Sequence, residues 1–62
     1  MNNKRRFLFL DVGLETNYQL VSKIQQGLTE LGAAVEEMVL DGNYELVLDQ
    51  LEEGAIPIVL KI

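Results

Sequence analysis

The stretch Phe7-Leu8-Phe9-Leu10-Asp11-Val12, continued by Gly13-Leu14-Glu15-Thr16-Asn17, decides the fold. Phe7 and Phe9 point to one side of an extended chain, and Leu8, Leu10 and Val12 point to the other. A strand apolar on both faces belongs in the middle of a sheet that is covered on both sides. Arg6 to Val12 is therefore predicted as a central first strand, running into a loop and then a helix.

Working outward, Thr16 followed three residues later by Gln19 predicts a capping box at the start of helix one. Leu20, Val21, Ile24, Leu28 and Leu31 recur at helical spacing and predict one buried stripe. Gly27 falls on the same stripe, and close approach of helix to sheet is the expected reason for a glycine there. Gly32 ends the helix. Ala33 to Leu40 reads as strand two. Its adjacent Glu36 and Glu37 point to opposite faces, so the strand is placed at an edge. Asp41-Gly42-Asn43 is a turn with Asn43 as N-cap. Helix two carries Tyr44, Val47, Leu48 and Leu51 on one stripe and stops at Gly54. Ala55 to Ile62 reads as strand three, with Pro57 marking its start or an edge. The expectation is a single α/β domain over 1–62, ordered β-α-β-α-β, with three strands, two helices and residues 1–5 as a flexible tail.

At 62 residues a chain buries only about 60% of the surface it exposes when unfolded. Domains of this size usually add disulfides, metals or oligomerisation. The sequence contains no cysteine and no histidine, which removes disulfides and the common soft metal ligands. Self-association into a homo-oligomer is the remaining route. The net charge of -5 disfavours nucleic acid, whose phosphates require a cationic face. Lys4-Arg5-Arg6 before an apolar run resembles the start of a signal peptide, but Asp11 ends the run too early. No stretch approaches the roughly 20 apolar residues of a membrane span. The expectation is a cytoplasmic protein that does not enter membranes.

Reactive groups are few. Ser22 is the only serine and has no visible base. Paired-carboxylate catalysis would need a pocket that so short a chain can hardly build. The chain is read as not an enzyme, with no cofactor and no metal. The best ligand candidate is the loop bearing Asp11, Gly13, Glu15, Thr16 and Asn17, because α/β folds bind ligands at the carboxyl ends of strands. On the plainer reading Gly13 makes the turn, Thr16 caps the helix and Asp11 ends the strand. The second candidate is an acidic face of Glu45, Asp49, Glu52 and Glu53 on helix two, suited to a protein partner with a basic face. Its plainer reading is a solvated surface. Leu14 and Leu46 lie off the stripes and are expected to be exposed.

The passage Asp41-Gly42-Asn43-Tyr44-Glu45-Leu46, followed by Gly54-Ala55-Ile56-Pro57-Ile58-Val59-Leu60, resembles the thioredoxin and glutaredoxin superfamily. There an acidic turn and a short helix precede an Ile-Pro pair and an apolar strand. The resemblance implies that Pro57 is a structural, usually cis, proline and that strand three turns antiparallel. The family's C-x-x-C position, here within Leu14 to Tyr18, holds no cysteine, so dithiol exchange is chemically impossible. The resemblance thus implies a shortened, redox-inactive protein that acts by binding other proteins. The alternative is a Rossmann-like parallel unit, with a trans Ile56–Pro57 bond, using the loop after strand one on a small molecule or cation.

Overall fold

A computed structural model describes residues 4–61 of the chain. Five elements follow in the order expected: β1 (Arg6–Asp11), α1 (Tyr18–Glu30), β2 (Ala34–Val39), α2 (Tyr44–Glu52) and β3 (Ile56–Val59). They build a three-stranded sheet ordered β2-β1-β3, with β1 central. Both neighbours run parallel to β1: Phe7 lies opposite Val35 on one side and Ile56 on the other. The described residues contain no cis peptide bond. The direction of β3 and the trans Ile56–Pro57 bond are those of the Rossmann-like arrangement.

The alternation in β1 sorts the core into two layers. On one face Phe9, Val21 of α1 and Leu60 are buried together, with Phe7, Leu28, Val35 and Ile58 packed against them. On the other, Leu8 and Leu10 are buried with Val47 of α2 and Ala55, flanked by Val12, Met38, Leu40 and Leu51. One helix therefore covers each face, and β1 is the strand that both helices need.

Both helices end in the same way. After α1, Gly32 N–H donates to Thr29 C=O and Ala33 N–H to Leu28 C=O, each at 3.0 Å. After α2, Gly54 N–H donates to Leu51 C=O and Ala55 N–H to Gln50 C=O. These are Schellman closures, and they need a left-handed residue at the turn. Gly32 at φ +91° and Gly54 at φ +102° supply it.

Several expectations need correction. Asn17, not Thr16, caps α1: its Oδ1 accepts from Leu20 N–H at 3.2 Å. The Thr16 hydroxyl instead faces the carbonyls of Leu14 at 3.0 Å and Leu60 at 3.3 Å, tying the loop to the end of β3. Asn43 occupies the N-cap position of α2 without capping by its side chain. Its amide folds back, accepting from Asp41 N–H at 2.8 Å and donating to Val39 C=O at 3.0 Å.

The stripes are narrower than the periodicity implies. In α1 only Val21 is buried and Leu28 half-buried, while Leu20, Ile24 and Leu31 are exposed. In α2 Val47 is buried and Leu51 half-buried, while Tyr44 and Leu48 are exposed. A two-layer contact with three strands covers a narrower arc of each helix than its apolar residues span. Strand three ends at Val59, and Ile62 and Met1 to Asn3 lie outside the described residues. Of the supposed tail, Arg5 has its carbonyl bonded to Ala34 N–H at 2.7 Å.

Gly27 makes no close approach, since a Cβ placed there meets nothing within 4 Å. Its backbone is helical and its entropic cost is uncompensated. Gly27→Ala is accordingly expected to stabilise the fold by about 1 kcal/mol, read from urea unfolding. A loss of stability would mean that the helix–sheet contact is tighter than the backbone suggests.

Candidate functional site

The loop at the carboxyl end of β1 starts from Asp11, half-buried as the last residue of that strand. Its Oδ1 accepts from Gly13 N–H at 3.0 Å, and its Oδ2 accepts from the Tyr18 hydroxyl at 2.9 Å. Gly13, at φ +80°, turns the chain back towards the strand end. Asn17 then starts α1, which brings Tyr18 over the carboxylate. Of the loop candidates, Asp11 and Gly13 bond each other, Thr16 bonds Leu14 and Leu60, and Asn17 bonds Leu20, while Gly13, Glu15 and Asn17 are exposed. Tyr18 is the residue that sequence reasoning missed. Its spacing from Asp11 carries no motif, and only the loop's turn closes the distance.

The hydrogen bonds from Gly13 N–H and, to a smaller extent, Tyr18 O–H hold the Asp11 carboxyl below its ordinary value. The same bond to Asp11 raises the Tyr18 phenol. A depressed carboxyl contributes stability above its unfolded value, 3.8, and loses it as pH falls through the lower folded-state value. A raised phenol contributes stability below 10.0 and loses it as pH rises through the higher folded-state value. Tyr18→Phe is expected to move the Asp11 titration up towards, but still below, the ordinary value, because the Gly13 bond remains. Carboxyl-carbon NMR titration reads this. An unmoved Asp11 would mean that Tyr18 does not bond it in solution.

Each polar group of this loop that acts in the geometry already has a partner within the chain. Asp11, Thr16 and Asn17 hold the β1–α1 connection in shape, and Glu37 adds a second negative charge near Tyr18. Among the described residues no three potential acidic metal ligands cluster.

The acidic candidates lie on the outer side of α2, where Glu45, Asp49, Glu52 and Glu53 are all exposed. Asp49, Glu52 and Glu53 line a cleft of about 530 Å³ with Leu46 and Gln50. Gln50 belongs to another cluster as well. Arg6 Nη2 bonds Glu36 Oε1 at 2.8 Å and also Gln50 Oε1. With Gln25 donating to Glu37 at 3.0 Å, both glutamates of β2 are held by side chains from neighbouring elements. A further cleft of about 360 Å³ lies at the opposite end of β1, between Lys4, Arg5, Phe7, Leu28 and Leu31. Pro57 is exposed on the edge strand β3, opposite Leu8 of β1.

Leu20, Ile24, Tyr44, Leu48, Ile56 and Val59 all expose between 39% and 62% of their area. No described helix is long and apolar enough to cross a membrane. No family model, curated protein or solved structure matches the chain.

Proposed function

We propose that this chain is a small cytoplasmic interaction or regulatory protein, unable to carry out dithiol exchange because it has no cysteine, which acts by binding protein rather than by catalysis. The observation that carries this reading is the set of large apolar side chains exposed beside β3, on both faces of the sheet. Large apolar side chains exposed along one edge of a small soluble domain suit an interaction site better than open solvent. The acidic outer side of α2 adds a surface that favours partners with a basic face and disfavours anionic ones.

A second reading, a Rossmann-like ligand-binding unit, draws on the parallel β3 and on the loop at the carboxyl end of β1. A thermal-shift panel of nucleotides, sugars and divalent cations separates the two. The interaction reading expects no shift from any of them. A shift that Asp11→Asn removes would overturn it in favour of the loop.

A further inference from the structure

We infer that the β3 edge is the interface of a homodimer, in which a second copy of this chain extends the sheet by antiparallel pairing of β3 with β3. The inference rests on the interaction reading above and names its partner and its surface.

The two edges of the sheet differ in chemistry. The β2 edge is closed by polar contacts: Glu36 with Arg6 on one face, Glu37 with Gln25 on the other. These contacts also orient the helices. Gln25 marks the side of α1 that faces β2, so Leu20 and Ile24, on the opposite flank of the Val21–Leu28 line, face β3. Gln50 marks the β2 side of α2, so Tyr44 and Leu48, on the other flank of Val47, also face β3. Register places Ile56 on the α1 face, aligned with Phe7, and Val59 on the α2 face, aligned with Leu10. Apolar surface therefore flanks the β3 edge above and below, and no carboxylate is among these six residues.

The backbone of β3 is equally specific. Leu60 N–H donates inward to Leu10 C=O at 2.9 Å, so by alternation Pro57, Val59 and Lys61 turn their backbone groups outward. Pro57 donates nothing, which blunts indiscriminate strand addition. One register still suits a two-fold pair. With the axis beside Val59, the Val59 residues of the two copies exchange N–H···O=C bonds. Lys61 N–H of each copy then donates to the Pro57 carbonyl of the other. The only bond lost is the one Pro57 cannot make.

A second copy is the occupant that this surface fits by symmetry. A two-fold axis perpendicular to the sheet keeps each face continuous. It brings Leu20, Ile24 and Ile56 towards their counterparts on one face, and Tyr44, Leu48 and Val59 on the other, as an isologous contact requires. The six side chains expose on the order of 500 Å², and with the strand backbone this approaches the roughly 800 Å² per partner of a standard interface.

Sedimentation velocity of the full chain from micromolar to millimolar concentration tests the inference. The expected result is a species of twice the 7.0 kDa chain mass. Val59→Lys is expected to raise its dissociation constant roughly 100-fold, while Val39→Lys, similarly exposed on the β2 edge, leaves it unchanged. Should Val59→Lys fail to fold, amide exchange of the unaltered chain decides. The outward Val59 N–H is then expected to gain protection as concentration rises. A monomer throughout, a dimer broken by Val39→Lys and not by Val59→Lys, or a Val59 amide unprotected in the dimer would each overturn the inference. A monomer that still crosslinks to other proteins through Leu48 would leave the interaction reading standing without it.

Discussion

Phe9→Ala is expected to remove about 3–5 kcal/mol of stability, most of what holds this chain folded in water at 25 °C. Phe9 is 1% exposed on the central strand and packs between Val21 of α1 and Leu60 beyond β3. Truncating a buried phenylalanine costs about 3–5 kcal/mol through lost transfer energy and the cavity left behind. A 62-residue chain has roughly 3–9 kcal/mol of stability in total, and only seven buried apolar residues form its described core. Far-UV circular dichroism with urea titration reads the result. A cooperative transition shifted by less than about 1 kcal/mol would mean that α1 is not held to the sheet through Phe9.

Val21→Asp is expected to have a comparable effect, and Ile24→Asp almost none on folding. Both positions belong to the same apolar periodicity, yet Val21 is 2% exposed and Ile24 39%. A carboxylate at Val21 would face the apolar side chains of Phe9 and Leu60. It must either be buried at a cost of several kcal/mol or undock the helix. At Ile24 the same carboxylate stays in water. Equal destabilisation by the two changes would mean that α1 buries its whole stripe and that its β3 flank is covered within the monomer.

That pair also shows how far the residues alone lead. The central strand was legible because both its faces are apolar, a pattern that hardly any other element produces. The edge position of β2 was legible from Glu36 and Glu37, which neither face could bury unpaired. Gly32 and Gly54 announced the helix ends because little else adopts the left-handed turn so cheaply.

What periodicity could not supply was the width of each contact. It marks which side of a helix is apolar, not how much of that side a three-stranded sheet can cover. Leu20, Ile24, Tyr44 and Leu48 consequently read as core and are exposed. The caps were missed for a related reason. Thr16 and Asn17 are both good capping residues one position apart, and the choice depends on Thr16 reaching Leu60, forty-four residues away in the chain. Of the candidate loop, the sequence marked its members but not Tyr18, whose hydroxyl completes the Asp11 contacts.

The acidic side of α2 lies where the spacing of Glu45, Asp49, Glu52 and Glu53 placed it, on solvent. It carries no convergent geometry, so the weight of the functional reading falls on the apolar β3 side.

The most direct test of that reading compares photo-crosslinkers at two positions of similar exposure in living cells. Leu48, 55% exposed, lies on the β3 side of α2, and Val39, 59% exposed, lies on the β2 edge. The expected result is protein adducts from position 48 and few or none from position 39. Equal adducts from both positions, or none from position 48, would contradict the claim that this protein works through its β3 side.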